Sequence, residues 1–291
     1  MDKNNKNRAD VIIVGAQKCG TTTLSVGILQ SHPQLVKRRG GEANFFSTCD
    51  DWKSEIDEYH EKFNFKEGKL HYEKSTHYTF YPDRNLEIWK DIYEYNQNMK
   101  IIYMVRDPVD RIRSAYTHSY ERGYIDAGIE EALSQHSTLM DVTRYASQIR
   151  PFIRCFGRDQ VLLLFLEDLR ERPSSVIQQL ADFLKVDAGG FGRNPAEVQA
   201  NQSGNGGRPH HKYDNPGLFL RGLRKLVPPL YERITDNSDR ALDEKPSIPQ
   251  KYDRAIRYML RSEIDEIEAL TGRDLDHWRH EDQEMVSADA R

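Results

Sequence analysis

The chain has few of the features that mark secreted and membrane proteins. Only three of its 291 residues are cysteines, and they stand far apart at positions 19, 49 and 155. An odd number at such spacing indicates neither a disulfide framework nor a zinc site. No apolar run approaches the roughly 20 residues of a membrane-spanning helix, and the first ten residues, MDKNNKNRAD, lack the apolar core of a signal peptide. We therefore expect a cytoplasmic protein without a membrane partner.

An excess of positive charge is also lacking. The 42 lysines and arginines face 46 aspartates and glutamates, which gives a formal net charge of −4. This balance provides no general attraction to nucleic acid, so no nucleic-acid partner is expected. Hydrophobic residues make up 37% of the chain and charged residues 30%, as in soluble globular proteins. Because no linker divides the chain, we expect one domain over residues 10–280, flanked by flexible tails at 1–9 and 281–291.

Apolar runs and helical patterns alternate along the chain. Continuous apolar runs predict buried strands at 11–15, 100–108 and 160–169, with a short strand at 34–36. Helical spacing predicts helices from residue 21 to before residue 33, and at 85–95, 109–121, 173–184 and 252–270. Residues 187–251 are rich in Gly, Pro and Asn, so loops should dominate there around one broken helix at 218–234. This alternation predicts an α/β fold with one central parallel sheet flanked by helices.

The first predicted strand leads into a loop bounded by glycines, VIIVGAQKCGTTTL (11–24). Gly15 and Gly20 allow successive backbone N–H groups to point inward, and the helix that follows adds its positive end. An ATP or GTP loop would place Lys directly after the second glycine, but here Lys18 lies inside the loop and three threonines follow. The pattern indicates a phosphate-like ligand. An ordinary strand–turn–helix with a threonine N-cap is the alternative, and Lys18 beside the two glycines argues against it.

A second polar site is predicted where the strand at 100–108 ends. Arg106 stands at the strand end, and Ser114 follows about two turns into the next predicted helix. An arginine fork and a hydroxyl can together hold a phosphate. The alternative is that Arg106 pairs with Asp107 or Asp110. Because ligands collect at the carboxyl ends of parallel strands, the two sites together indicate a nucleotide with phosphates at two positions.

Both sites resemble motifs of the sulfotransferases that use 3′-phosphoadenosine 5′-phosphosulfate (PAPS). GAQKCGTTTL resembles the family's 5′-phosphosulfate loop, and YMVRDPVDRIRSAY resembles its 3′-phosphate motif. Three further segments resemble the heparan-sulfate-type branch, namely YEKSTHY (72–78), SGNGGRPHH (203–211) and LTGRDLDHW (270–278). The resemblance extends over about residues 10–280. It implies a P-loop-like sulfotransferase fold, PAPS as the cofactor with 3′-phosphoadenosine 5′-phosphate (PAP) as its product, and no metal.

The resemblance also implies roles for individual residues. Lys18 would stabilise the negative charge that develops on the leaving phosphate. Glu73, the acid of the YEKSTHY segment, would be the general base, with His77 as the alternative base. A surface pair of Glu73 with Lys74 is the non-catalytic alternative. The implied cofactor-binding residues are Gly15, Gln17, Lys18, Cys19, Gly20, Thr21, Thr22, Thr23, Arg106, Ser114, Gly207 and Arg208.

The sequence departs from the branch pattern at two glycines. Gly41 and Gly206 stand where the branch often has lysine. The basic run at 37–39 either replaces the first of these lysines or forms a solvated turn. Because the chain is acidic and lacks an apparent membrane anchor, we expect a small-molecule acceptor with a hydroxyl or an amine. The competing functions are a P-loop kinase or NTPase, which the missing lysine after Gly20 disfavours, and a non-catalytic nucleotide-binding protein.

Overall fold

Five parallel strands form the centre of the fold. The computed structural model describes residues 7–192, 242 and 246–279. The strands are β1 (Val11–Gly15), β2 (Leu35–Lys37), β3 (Leu70–Lys74), β4 (Lys100–Val105) and β5 (Val161–Phe165). They are hydrogen-bonded in the order β2-β3-β1-β4-β5, and each neighbouring pair is parallel. The parallel α/β sheet that the sequence predicts is confirmed.

Helical segments connect these strands and cover the sheet. A π-helix (Thr23–Ile28) follows β1, and short 3₁₀ turns lie at Leu29–Ser31, Thr76–Thr79, Arg158–Gln160, Ala188–Gly190 and Asp276–Trp278. The α-helices are α1 (Phe45–Thr48), α2 (Ile56–Glu61), α3 (Ile88–Tyr95), α4 (Pro108–Glu121), α5 (Ile129–Gln135), α6 (Thr138–Asp141), α7 (Tyr145–Phe156), α8 (Leu166–Glu171), α9 (Pro173–Leu184), α10 (Gln250–Met259) and α11 (Arg261–Thr271).

The sheet lies in the middle of the hydrophobic core. Every residue of β1 is buried, and β4 is buried from Ile101 to Val105, as expected for parallel strands covered on both faces. The C-terminal part of the described chain joins the same core. Trp278 is fully buried, and its ring lies 5.7 Å from the ring of Phe165 and 6.2 Å from that of Tyr145.

Three predicted boundaries are wrong. The predicted strand at 100–108 ends at Val105. The predicted strand at 160–169 ends at Phe165, and α8 begins directly after it. Leu166 and Leu169 are both buried, which fits one face of a helix and not the alternating faces of a strand. The predicted helix at 252–270 is divided into α10 and α11 because Leu260 leaves the helical region, with φ −96° and ψ 5°.

Some predictions fall on parts of the chain outside the described residues. They are the broken helix at 218–234, residues 1–6 of the first predicted tail, all of the second tail at 281–291, and the cofactor-binding candidates Gly207 and Arg208. Within the described ranges, none of the helices has the length and apolar character needed to cross a lipid bilayer.

The strand order brings the predicted polar sites together. β1 is central, with β3 on one side and β4 on the other. Since all strands are parallel, the residues after Gly15, Lys74 and Val105 emerge at one edge of the sheet. The chain fills one side of β1 and then crosses to the other, which makes this edge the crevice where ligands bind in open α/β sheets.

Candidate active site

The loop after β1, residues 16–20, depends on Gly20 and on Gly15, the last residue of the strand. Lys18 and Gly20 have φ values of 69° and 84°, which place both in the left-handed region. A Cβ on Gly20 would lie 2.5 Å from Leu166 Cδ1, and one on Gly15 would lie 2.0 Å from Thr79 Oγ1. Neither glycine leaves room for a side chain. Turns that combine left- and right-handed residues direct N–H groups toward one point, an arrangement suited to anions.

A buried guanidinium supports this loop from the inside. Arg111 on α4 is 1% exposed, and its Nε donates to the carbonyl oxygen of Gln17 at 3.1 Å. Its Nη1 donates to the carbonyl oxygen of Leu139 at 3.0 Å and to Thr143 Oγ1 at 3.1 Å. Desolvation by burial lowers the pKa of Arg111 below its ordinary value, but the group stays charged near neutral pH. All three acceptors are neutral oxygens, so a positive charge lies directly behind the loop.

Cys19 contributes to the loop through packing. Its side chain is fully buried, and its Sγ lies 3.5 Å from the hydroxyl of Tyr145. Burial raises the pKa of Cys19 to about 11, so the thiol is protonated at neutral pH. Its N–H donates to the carbonyl oxygen of Ala16 at 3.2 Å. These contacts show that Cys19 helps to fix the shape of the loop.

The three threonines that follow the loop differ in exposure. Thr21 is buried, Thr22 is exposed and Thr23 is half-buried. Thr22 Oγ1 accepts a hydrogen bond from Lys74 Nζ at 3.0 Å. The Thr22 hydroxyl therefore keeps its own hydrogen for a second partner, and it lies where the ends of β1 and β3 meet.

Arg106 reaches from the end of β4 to the loop. Its Nη1 lies 3.5 Å from the carbonyl oxygen of Lys18, and its Nη2 donates to Asp110 Oδ2 at 3.0 Å. Its Nε is buried and has no acceptor among the residues that the structure describes. Of the two acidic partners that the sequence left open, Asp110 is the observed one.

Asp107 is used inside the fold, and Ser114 lies further along the same helix. Asp107 Oδ1 accepts from the N–H of Asp110 at 2.9 Å and caps α4, while its Oδ2 accepts from Arg257 Nη1 at 2.9 Å. Ser114 follows two turns into α4 and is half-buried. Arg106 and Ser114 therefore lie at the end of β4 and on α4, the helix that follows it.

Glu73 is enclosed by hydroxyl groups. Its carboxylate is 1% exposed, and its Oε1 accepts from the hydroxyls of Tyr59 at 3.0 Å and Tyr78 at 2.9 Å. Its Oε2 accepts from Ser75 Oγ at 3.0 Å. Burial raises the pKa of Glu73, and these hydrogen bonds oppose that shift. Both oxygens thus have partners within the fold.

Glu42, which the sequence analysis did not single out, is the carboxylate that meets Lys74. Its Oε1 lies 2.7 Å from Lys74 Nζ, and its Oε2 accepts from the N–H and the hydroxyl of Thr76 at 2.9 and 2.8 Å. The alternative of a surface pair between Glu73 and Lys74 is therefore wrong. Desolvation raises the pKa of Glu42, but Lys74 and Thr76 outweigh it, so the pKa is lower than usual.

Two histidines lie near this group. His77 packs against Phe80 with ring centres 4.7 Å apart and ring planes tilted by 53°, and burial and then Arg84 lower its pKa. His118 lies one turn after Ser114 on α4. Burial, then the charges of Lys18 and Arg122, lower the pKa of His118 to about 4, with Glu42 opposing them. His118 is therefore a neutral imidazole, and the charges of Lys18 and Glu42 act on its pKa in opposite directions.

A family model of the sulfotransferase domain matches residues 8–201, more than half of the chain. The chain belongs to the sulfotransferase family. It is 27% identical over 201 residues to heparan sulfate glucosamine 3-O-sulfotransferase 3A1 of Mus musculus, and this match covers 63% of this chain and 47% of that protein. It is 25% identical over 189 residues to heparan sulfate glucosamine 3-O-sulfotransferase 5 of Homo sapiens, which covers 60% and 53% respectively. The chain spans about half the length of these relatives.

A solved sulfotransferase structure has the same fold. The sulfotransferase from Alicyclobacillus acidocaldarius aligns with a TM-score of 0.66 and 23% identity, covering 94% of this chain and 99% of that chain. At this identity the likeness concerns the fold alone. It confirms the P-loop-like sulfotransferase fold that the sequence resemblance implies.

A cavity opens beside Glu42 in this member of the sulfotransferase family. Its volume is about 700 Å³, and it is lined by Arg38, Arg39, Gly40, Gly41, Glu42, Glu61 and Lys62. A Cβ on Gly41 would meet no atom within 4 Å. Gly41, which stands where the heparan-sulfate-type branch often has lysine, therefore leaves open space. Two residues of the basic run, Arg38 and Arg39, thus border a cavity beside the Glu42 carboxylate.

Sequence reasoning missed three residues of this candidate site. Arg111 looks like a solvated charge on an amphipathic helix, although its place in the RDPVDR segment, five residues after Arg106, was a usable signal. Glu42 follows directly after Gly41, the position where the branch often has lysine. His118 has no sequence signal beyond its spacing of one turn from Ser114.

Proposed function

We propose that the chain transfers a sulfuryl group from PAPS to a hydroxyl or amine of a small-molecule acceptor. The observation that carries this proposal is the contact of Arg106 with the phosphate loop, where Arg106 Nη1 lies 3.5 Å from the carbonyl oxygen of Lys18. Two anion-binding elements at the ends of neighbouring strands suit a ligand with two separate anionic groups. PAPS has this chemistry, since it carries a 5′-phosphosulfate and a 3′-phosphate.

The polar groups at the end of β4 support the fit of a 3′-phosphate. Arg106 Nε is a buried donor without an acceptor among the described residues, and such a group costs about 1–3 kcal/mol. A phosphate oxygen would satisfy it, with the Ser114 hydroxyl as a second donor. The proposed 5′-phosphosulfate site comprises Gly15, Gln17, Lys18, Cys19, Gly20, Thr21, Thr22 and Thr23. Gly207 and Arg208 are also proposed to bind the cofactor, and they lie outside the described residues.

The charges around the loop suit the departure of a phosphate. PAPS, when bound, supplies an activated sulfuryl group. Lys18 lies inside the loop, where its ammonium stabilises negative charge on the leaving group. Arg111 adds a positive charge from behind the loop, and it is already desolvated and fixed by its hydrogen bonds to Gln17, Leu139 and Thr143. Donors that are oriented before the reaction need no reorganisation during it.

The acceptor must also lose a proton, and the geometry favours Glu42 as the group that takes it. The Glu42 side chain is 27% exposed, its lowered pKa keeps it ionised near neutral pH, and Lys74 links it to Thr22 beside the loop. Glu73 and His77 are the alternatives from the sequence. Glu73 is 1% exposed, so an acceptor would have to displace its hydroxyl partners to reach it.

We propose that the acceptor binds in the cavity beside Glu42. The cavity joins the proposed proton acceptor to open solvent, and its volume of about 700 Å³ suits a small molecule. Three cations, Arg38, Arg39 and Lys62, line it against Glu42 and Glu61, and Lys74 neutralises Glu42. The net charge of the residues that line the cavity is therefore positive, which favours an acceptor that carries an anionic group.

Product analysis tests this function. The full chain is incubated with PAPS and a panel of hydroxyl- and amine-bearing metabolites, and the products are analysed by mass spectrometry. We expect one sulfuryl group on an acceptor for each PAP released, without added magnesium. Phosphorylated acceptors formed from ATP and magnesium would support a kinase. Binding of PAP without any transfer across the panel would support a non-catalytic nucleotide-binding protein.

A further inference from the structure

The enclosed carboxylate of Glu73 connects to the segment that carries Glu42. Two of its three hydroxyl donors make a second contact there. Ser75 Oγ accepts from the N–H of Asn44 at 2.9 Å, and the Tyr78 hydroxyl accepts from the N–H of Phe46 at 3.5 Å. Thus Ser75 and Tyr78 each stand between Glu73 and the segment 42–46, whereas the hydroxyl of Tyr59 has Glu73 as its partner.

The chemistry of a carboxylate sets the direction of these bonds. An ionised carboxylate can only accept hydrogen bonds, whereas a hydroxyl has one hydrogen to donate and lone pairs to accept with. The hydroxyls of Ser75 and Tyr78 both donate to the Glu73 carboxylate. The lone pairs of both oxygens then face the N–H groups of segment 42–46. An alanine at position 73 would remove this constraint.

Segment 42–46 needs such support because of its backbone conformation. Asn44 has φ 49° and ψ 17°, in the left-handed region, which non-glycine residues adopt infrequently. The bond from its N–H to Ser75 holds the chain in this turn. Glu42 lies two residues earlier, and its carboxylate accepts from Thr76, the neighbour of Ser75. The end of β3 therefore fixes both ends of the turn.

We propose that Glu73 is a positioning residue, which orients the hydroxyls of Ser75 and Tyr78 so that they hold segment 42–46 and keep Glu42 facing Lys74. This inference rests on the proposed role of Glu42 in proton removal. It gives the buried acid a part in the reaction without contact with the acceptor. It also differs from the role that the sequence implies, since a general base must reach the acceptor.

Substitution of Glu73 by Gln separates positioning from proton removal. The Gln amide oxygen can accept from both tyrosines, and its NH₂ can donate to Ser75 Oγ, which has lone pairs for two donors. We expect Glu73→Gln to keep turnover within about tenfold of wild type. Glu73→Ala should lower turnover by about 10²-fold, the scale of a small misplacement of a catalytic group, with PAP affinity unchanged. Glu42→Gln should lower turnover by about 10²- to 10⁴-fold.

Two further variants form a matched pair that keeps the Glu73 side chain. Ser75→Ala and Tyr59→Phe each remove one hydroxyl donor from Glu73, but only Ser75 also bonds segment 42–46. Tyr59→Phe keeps the ring that stacks on Phe45 at 4.8 Å. We expect Ser75→Ala to lower turnover and to move its acid limb to higher pH, because Glu42 loses contacts that lower its pKa. Tyr59→Phe should change neither.

Hydrogen exchange gives a readout that does not depend on catalysis. Exchange of the peptide containing residues 42–46 should become faster in Ser75→Ala and in Glu73→Ala, and should stay at the wild-type rate in Tyr59→Phe. Equal exchange in Ser75→Ala and Tyr59→Phe would overturn the inference. So would a Glu73→Gln variant that binds PAP normally and is as inactive as Glu42→Gln. An active Glu42→Gln would instead reject the proposed role of Glu42, whatever the exchange rates.

Discussion

The ammonium of Lys74 lies 2.7 Å from a carboxylate oxygen of Glu42, although Lys74 ends β3 and Glu42 follows β2. The same ammonium donates to Thr22 Oγ1 at 3.0 Å. One side chain therefore joins the proposed proton acceptor to the residues that follow the phosphate loop. This contact connects the two halves of the proposed reaction, the departure of PAP and the removal of the acceptor proton.

Lys74→Met should move the acid limb of the pH–turnover profile to higher pH. A proton acceptor works when it is deprotonated, so turnover is full above the pKa of Glu42 and falls as the pH drops through it. Burial raises the pKa of Glu42, and Lys74 is the main opposing charge. Without the ammonium the pKa rises, and the limb rises with it. The measurement is kcat against pH at saturating PAPS and acceptor.

Lys62→Met is the matched control for this experiment. Lys62 lines the same cavity, but among the described residues no hydrogen bond or ion pair joins it to Glu42. The substitution removes the same unit of positive charge as Lys74→Met and should leave the acid limb in place. If the acid limb stays in place in Lys74→Met, or if it shifts equally in the two variants, then the limb does not report the ionisation of Glu42.

Lys18→Ala should lower turnover by about 10²-fold, the scale of removing one charge-stabilising donor. Lys185→Ala is a suitable control, because Lys185 is also a left-handed lysine, with φ 58°. Lys185 directly follows α9 and lies near Lys100, the first residue of β4. It is therefore away from the carboxyl ends of the strands. Single-turnover kinetics measure the chemical step. Near-normal turnover in folded Lys18→Ala would remove this lysine from the mechanism.

Arg106→Ala should weaken PAP binding by about 10- to 150-fold, because each charge-assisted hydrogen bond is worth about 1.5–3 kcal/mol. Binding of adenosine 5′-monophosphate, which lacks the 3′-phosphate, should change much less. Arg113→Ala is the control, since Arg113 pairs with the same Asp110 at 2.5 Å. Calorimetry of both ligands tests the assignment. Equal weakening of the two ligands in Arg106→Ala would place the arginine elsewhere on the nucleotide.

The loop was predictable from the sequence because its signal is local. Gly15, Lys18 and Gly20 lie within six residues, after an apolar run that specifies a buried strand. The position of Arg106 between β4 and the next helix was predictable for the same reason, since Arg106 ends an apolar run and Pro108 begins the helix, although β4 itself ends at Val105 and not at residue 108. The edge of the sheet where these residues meet followed from the parallel α/β pattern, without knowledge of the strand order.

The chemistry around Glu42 was not predictable, because its partners are distant in sequence. Lys74 and Thr76 are more than 30 residues away, and the pairing of β2 with β3 brings them close. The burial of Glu73 depends on hydroxyls from a helix and a 3₁₀ turn that no periodicity reveals. Likewise, an apolar run cannot show that β5 ends at Phe165, because a buried helix continues the same composition.

Gly20→Ala should lower the stability of the fold more than Gly68→Ala does. Both glycines have positive φ, 84° and 70°, so alanine carries a similar backbone cost of about 1–2 kcal/mol at each. A Cβ at Gly68 meets nothing within 4 Å, whereas one at Gly20 lies 2.5 Å from Leu166, which adds about 1–3 kcal/mol of overpacking. Urea unfolding of the two variants measures the difference. Equal losses would mean that Leu166 moves away without cost.

The nucleotide preference of the full chain tests the central claim, that the strand ends form a site for PAPS. Calorimetric titration compares PAP in the presence of a metal chelator with ATP in the presence of magnesium. A site made from the phosphate loop, Arg106 and Ser114 should bind PAP without metal and bind ATP with magnesium far more weakly. Tight binding of ATP with magnesium and none of PAP would contradict the claim, and would show that the loop serves a nucleoside triphosphate.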